Sequence, residues 1–237
     1  MHIIDVHAHI LPGIDDGSRN WEESRLMLQM AYEQGIRQII ATPHYRSGRR
    51  SINLKDLAGQ LQEEAEAIRP DLQIFLGEEL YYHEGLAGEL KEGMALTLAG
   101  TRYVLVEFSP ETTYPALYQA LRKLIMARYI PVLAHIERYQ CLRNQNSLAE
   151  LGTLDCLFQM NYSSLAGSAL DQSVRWCRRQ VLEERVHLLG SDMHRMDYRK
   201  PDLTGALRWL RTHIPRRQLR GLVYRNADEL LRSGKQD

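Results

Sequence analysis

No two cysteines in this chain are spaced to share a metal or form a redox disulfide. Cys141, Cys156 and Cys177 form no Cys-x-x-Cys motif, and their odd number reads as free thiols in a reducing compartment. Thiol-based phosphoryl transfer is excluded as well. It needs an arginine six residues after the nucleophile, and those positions hold Ser147, Tyr162 and Glu183. Excess charge is also missing. Lysine plus arginine equal aspartate plus glutamate at 30 each, so no bulk basic field draws nucleic acid or a membrane surface. No apolar run approaches the ~20 residues that cross a bilayer. The opening "MHIIDVHAHI" has no basic segment leading into an apolar stretch, as a signal peptide would. Repeats, linkers and low-complexity tracts are absent. These absences predict one domain over 1–237, cytoplasmic, with no nucleic-acid partner and no membrane insertion.

What is present is an alternation of short apolar runs with helical segments. The runs "HIIDVHAHI", "IRQIIATPH", "LQIFLGEEL", "YVLVEFS", "IPVLAHI", "CLFQMN" and "VHLLGSD" read as seven strands. Segments such as "NWEESRLMLQMAYEQG" and "YPALYQALRKLIMARY" between them read as helices. In the first helix Asn20 is placed to cap, Glu23 has capping-box spacing, and Gly35 stops the element. Strands apolar on both faces predict a parallel sheet covered by helices, an α/β fold.

The strand ends carry the chemistry. The first strand ends at His7 and His9, two residues apart and therefore on one side of the strand. The second ends at His44, the third at Glu78 and Glu79, the fourth at Glu107 and the fifth at His135. The seventh ends at Asp192, with His194 two residues on, while the sixth offers only Asn161. In a parallel barrel all C-terminal strand ends meet on one face, where the active site lies. One strand-end histidine is ordinarily a structural residue with a satisfied hydrogen bond. Six strands ending in histidine or carboxylate are not explained that way, because buried acids without counter-charge cost several kcal/mol each. Divalent metals remove that cost. Imidazole and carboxylate without thiolate suit manganese, iron or zinc, and the donors exceed the needs of one ion. Clustered metals are a common device for phosphoryl transfer.

The ordered set "DVHAHILPGIDDGSRNWEES", "GEELYY", "AHIERY" and "SDMH" resembles the polymerase and histidinol phosphatase (PHP) superfamily. The match is closer to its bacterial manganese-dependent tyrosine-protein phosphatases of the CpsB/YwqE type, and runs from about Ile4 to Leu231. The resemblance implies a distorted (β/α)7 TIM-like barrel with three metal ions at the C-terminal strand ends. His7, His9, Glu79 and Asp192 would hold one ion. Glu79 would bridge to a second, held by Glu107 and His135. Asp16, His44 and His194 would hold the third. Manganese is the implied metal, with iron, magnesium or zinc as alternatives. The family pattern selects Glu79 over Glu78 and Asp16 over Asp15. Arg138 and Arg199 match the family's phosphate-binding arginines, a role that suits the bidentate, permanently charged guanidinium. The activity implied is hydrolysis of phosphotyrosine by metal-activated hydroxide. The implied partner is the tail of a bacterial tyrosine kinase that controls capsule or exopolysaccharide synthesis. The general acid is not assigned; a metal-bound water, Asp197 and the surroundings of His194 are the candidates. The loop arginines Arg46, Arg49 and Arg50 match nothing and read as solvated.

Three rival readings differ in class. A small-molecule phosphatase of the histidinol type usually has histidine at two positions where this chain has Asp16 and Glu107. A metal-dependent amidohydrolase typically bridges its metals with a modified lysine on the fourth strand, and "YVLVEFS" contains none. A non-catalytic phosphotyrosine-binding regulator would not need nine intact ligands.

Overall fold

Every strand pairing in the computed structural model is parallel. The structure describes residues 2–45, 53–144 and 146–235, which leaves Arg46, Arg49 and Arg50 outside the described residues. The strands are β1 (Ile3–Ala8), β2 (Ile36–Ala41), β3 (His44–Tyr45), β4 (Gln73–Leu76), β5 (Glu79–Tyr81), β6 (Tyr103–Glu107), β7 (Ile130–Leu133), β8 (Leu157–Asn161) and β9 (Leu188–Gly190). The helices are α1 (Trp21–Glu33), α2 (Leu54–Ile68), α3 (Leu86–Lys91), α4 (Tyr114–Met126), α5 (Ser147–Leu151), α6 (Gln172–Leu182), α7 (Thr204–His213), α8 (Arg216–Arg220) and α9 (Asn226–Arg232).

The expected second and third strands are each interrupted, which raises seven segments to nine. Pro43 has no N–H to give a ladder, and Gly77 breaks the neighbouring strand at the same level. Ala41 lies opposite Leu76 and His44 opposite Glu79, so the offset is unchanged across the break. Gly77 N–H and Glu79 N–H bridge it by donating to the carbonyls of Ala41 and Pro43. The sheet therefore curls as a seven-stranded, distorted TIM-like α/β fold. Among the described residues, the segment just after β9 meets β1 through a single bridge, Ala8 to Met193, flanked by Asp192 N–H to the His7 carbonyl and His9 N–H to the Met193 carbonyl.

One apolar cluster fills the inside of the ring: Ile4, Val6, Ile40, Leu105, Val132 and Leu188, closed from below by Ala227, Leu230 and Leu231 of α9. A larger cluster lies between the sheet and the outer helices and includes Ile3, Ala8, Ile39 and Val104. β1 contributes to both with a change of parity. Ile4 and Val6 point inward, but Ala8 points outward. The register against β2 slips between Asp5 and Ala8, the signature of a β-bulge. Regular alternation would have sent His7 and His9 outward with Ile3. The bulge lets them face the mouth of the ring.

In α1 the Asn20 side chain caps Glu23 N–H as expected. The reciprocal half of the capping box is not made. Glu23 instead accepts from Arg19 N–H and its guanidinium, and from Met196 N–H. That exchange ties α1 to the loop after β9.

Candidate metal centre

Four donor atoms from three strands converge on one point. His7 Nε2 and His9 Nε2 are 3.1 Å apart, and each is 3.1 Å from Glu79 Oε2 and 3.5 Å from Asp192 Oδ1. All four residues are buried. Their remaining ring nitrogens are already committed. His7 Nδ1 faces Gln159 Oε1 at 3.3 Å, and His9 Nδ1 faces Asp15 Oδ2 at 2.8 Å. Both partners are acceptors, an arrangement that favours a hydrogen on Nδ1 of each ring and, in the neutral form, leaves an Nε2 lone pair for the centre. Two lone pairs and two carboxylate oxygens then face one another, which only protons or a cation can stabilise. Donor atoms ~2.1 Å from a shared ion stand roughly 3.0–3.4 Å apart. The donor set fits a divalent metal.

The cluster extends to both sides. His44 lies across the ladder from Glu79, and its Nδ1 is 3.2 Å from both Glu79 Oε2 and Glu107 Oε1. His135 Nε2 is 2.8 Å from Glu79 Oε1 and 3.5 Å from Glu107 Oε2. On the other side, donor atoms of His9, Asp16, His44 and His194 all lie within 4.8 Å of one another. His44 and His9 thus each belong to two groups. All nine expected ligand residues are brought together. Glu79 faces the histidines, whereas Glu78 turns away and accepts from Leu96 N–H at 2.7 Å. Asp16 faces His44 and His194, whereas Asp15 turns to His9, His44 N–H and Gly17 N–H.

Electrostatics follow from this packing. Burial works against charging His135, but hydrogen bonds to Glu107 and Glu79 outweigh it and lift the imidazole to about 9. His9 is likewise raised against burial by Asp15 and Glu79. His194 is pushed down to about 4 by burial and by His9. Asp192 is held well below the carboxylate range: burial opposes this, and His7 and Arg138 override it. Metal binding here would compete with protonation of His9 and His135.

Arg138 and Arg199 approach from the solvent side. Both donate to Asp192 Oδ2, Arg199 at 3.3 Å, and Asn161 Nδ2 donates to the same oxygen at 2.8 Å. The two arginine side chains are 31% and 36% exposed and Asp192 2%. His135, Asp192 and Arg199 have φ of 32°, 51° and 52°, left-handed conformations that cost energy without glycine. At His135 this turn swings the ring off the regular strand path toward Glu79. Asp197, a candidate proton donor, is paired instead with Arg19 at 3.2 Å and Arg195 at 3.6 Å.

Residues that the sequence reading passed over hold this arrangement. Gln159 Oε1 accepts from His135 N–H at 2.7 Å as well as facing His7, and its amide donates to Asn161. Gln159 and Asn161, two apart on β8, are the contribution of the strand without a charged end. Asp5, fully buried and pushed up to about 6 by burial, accepts from Ser191 N–H and Oγ and so locks β1 to the residue before Asp192. The only sequence signal for it is its spacing of two before His7.

The family model for capsular polysaccharide synthesis, CpsB/CapC, matches residues 3–232. The chain belongs to the CpsB/CapC family. Tyrosine-protein phosphatase CpsB of Streptococcus agalactiae serotype V is 35% identical over 98% of this chain and 99% of its own. Tyrosine-protein phosphatase YwqE of Bacillus subtilis is 32% identical over 98% and 92%. A chain from the crystal structures of Bacillus subtilis YwqE and Streptococcus pneumoniae CpsB, described as unique metal-dependent tyrosine phosphatases, superposes with a TM-score of 0.86. It is 31% identical and covers 98% of this chain and 95% of its own. Outside the CpsB/CapC family, the phosphotriesterase homology protein of Escherichia coli shares the fold at a TM-score of 0.62 and 12% identity.

Proposed function

We propose that this chain is a metal-dependent protein-tyrosine phosphatase. The observation that carries the reading is the meeting of His7, His9, Glu79 and Asp192 lone pairs beside two inward-reaching guanidiniums. Family membership and the names of its relatives supply the substrate class. His7, His9, Glu79 and Asp192 would hold one ion. Glu79 would be shared with a second at Glu107 and His135, and Asp16, His44 and His194 would hold a third. Manganese is the metal this carboxylate-rich set favours. Divalent ions bound there would lower the pKa of water and would neutralise charge on a phosphoryl group.

The chain's own groups do the rest. Asp15 and Gln159 fix the tautomers and orientations of His9 and His7. Arg138 and Arg199 leave Asp192 Oδ2 to clamp phosphoryl oxygens as negative charge spreads over them. The phenolate of tyrosine, with a pKa near ~10, departs with less proton assistance than a serine alkoxide. The substrate is the tail of a bacterial tyrosine kinase acting in capsule or exopolysaccharide synthesis in the cytoplasm.

The test is metal analysis together with kcat/KM on phosphotyrosine and phosphoserine peptides, using one protein preparation. The expected result is more than one ion per chain, loss of turnover with a chelator, best recovery with manganese, and preference for phosphotyrosine. Full activity with a single tightly bound ion would overturn the three-ion reading. Loaded metal without turnover would leave a phosphotyrosine-binding regulator.

A further inference from the structure

The end of the barrel opposite the metal centre carries a second site. α8 runs through a π-helical turn, Gly221–Arg225, into α9, whose Ala227, Leu230 and Leu231 plug the ring from below. Between this helix and the end of α7 lies a cavity of about 700 Å³. That is within the size range of small-ligand pockets, roughly 300–1,000 Å³. Its floor is apolar, formed by Ile214, Leu219 and Val223. The rings of Tyr224 and His2 form one wall, with centroids 5.0 Å apart. Its rim is Arg211, Arg216 and Arg220, all exposed.

Among the described residues none of Arg211, Arg216, Arg217 and Arg220 has a carboxylate within ion-pair distance, although the chain holds as many acids as bases. Arg216 and Arg220 are a like-charged i, i+4 pair, which costs a helix a few tenths of a kcal/mol. Arg216 and Arg217 also occupy the first turn of α8, where the peptide dipoles disfavour cations. Farther along the same helix the acids return: Arg232 meets Asp228 at 2.9 Å and Arg225 meets Glu229 at 3.8 Å. The part of this helix that borders the cavity thus carries cations without an ion-pair partner, and the part beyond it carries paired ones. A single-turn π-bulge is rare and frequently marks a functional site, and this one places Val223 and Tyr224 in the cavity wall.

We propose that this cavity binds an organic polyphosphate bearing a planar ring, of the class of a nucleoside diphosphate. The phosphates take Arg211, Arg216 and Arg220, and the ring covers the apolar floor against Tyr224. An anionic lipid surface is the weaker occupant, because none of the large exposed apolar side chains (Leu26, Tyr81, Met126, Leu170, Leu182, Tyr198) borders the cavity to insert into a bilayer.

The test is calorimetric titration of the metal-loaded full chain with ADP, pyrophosphate and adenosine, and sedimentation with phosphatidylglycerol vesicles. ADP is expected to bind, with pyrophosphate and adenosine each at least tenfold weaker. The double variant Arg216→Glu/Arg220→Glu should lose ADP affinity on the order of tenfold or more, with unchanged metal content and circular dichroism. Equal ADP affinity in the variant would place the nucleotide at the metal centre and overturn the proposal. Pyrophosphate as tight as ADP, no ADP binding, or vesicle binding without ADP binding would each overturn it too. Should the double variant fail to fold, photolabelling of the unaltered protein with 8-azido-ADP decides. Label on the Val223–Tyr224 peptide supports the site, and label confined elsewhere removes it.

Discussion

Asp192 divides its carboxylate between two tasks. Oδ1 faces His7 and His9, while Oδ2 accepts from Arg138, Arg199 and Asn161. In the proposed reading an arriving phosphoryl group would compete with Oδ2 for the guanidiniums, and Asn161 would keep the carboxylate in place when they leave. Arg138→Ala and Arg199→Ala are therefore expected to lower kcat/KM on a phosphotyrosine peptide by ~100-fold each, with metal content near that of the unaltered protein. Lysine at either position should recover only part, lacking the bidentate fork. Unchanged kcat/KM in either variant removes that arginine from the site, and depleted metal makes it a support of Asp192. The adjacent acids Glu78 and Glu79 separate in the same way. Glu79→Gln should lose metal and activity together, since a neutral amide cannot balance two cations. Glu78→Gln should keep both. Burial pushes the Glu78 carboxyl up to about 7 from 4.5, so the folded chain retains this proton where the unfolded chain has released it. Stability contributed here declines as pH rises across that window and stays lower above it. Glu78→Gln keeps an oxygen for Leu96 N–H and removes the decline, a gain of about 1–3 kcal/mol at about pH 8. Melting curves of both proteins across that pH range check the sign; parallel curves would show that Glu78 carries no such cost.

At the scale of elements, β1 and β9 are set by close contacts. A Cβ on Gly190 would lie 2.7 Å from His7 Cβ and 2.9 Å from Gln159 Nε2. Gly190→Ala must displace either the ligand or the amide that orients it. Gly59 in α2 is the opposite case, with nothing within 4 Å of the added atom. Gly59→Ala is expected to stabilise the protein by ~0.5–1 kcal/mol and leave metal content unchanged. Gly190→Ala should fold less stably and bind metal less tightly. Denaturant melts and metal analysis of the pair check this, and full metal occupancy in Gly190→Ala would mean that β9 yields without moving His7.

For the whole molecule, the candidate metal centre lies where β1 meets the segment after β9, joined among the described residues by one bridge. Ions that bound the folded state alone would help hold that seam closed beside the Asp5–Ser191 hydrogen bonds, a linkage of ~4 kcal/mol at a thousand times the dissociation constant. Removing metal with EDTA should lower Tm by roughly 10 °C, and manganese should restore it. A Tm indifferent to EDTA and manganese would show that protons alone balance the converging lone pairs.

Strands apolar on both faces announced a parallel sheet and the family resemblance its barrel, while the strand-end histidines and acids pointed to a metal face, because apolar β-strands stop where the chain turns polar and a parallel sheet brings those stops together. Local spacing also carried the cap at Asn20 and the shared direction of His7 and His9. It could not carry the direction itself. A bulge between Asp5 and Ala8 turned both rings inward, and a left-handed backbone at His135 brought a third. Each depends on pairing with a neighbour distant in sequence. The same holds for Glu79 over Glu78, which is decided by which acid lies across the ladder from His44. Gln159, Asn161 and Asp5 look like ordinary polar residues along the chain; their roles exist only where β8, β9 and β1 stand side by side. Sequence determined which chemical groups the barrel would present. Tertiary structure decided which way each one points, because orientation belongs to pairs of strands and not to any one of them.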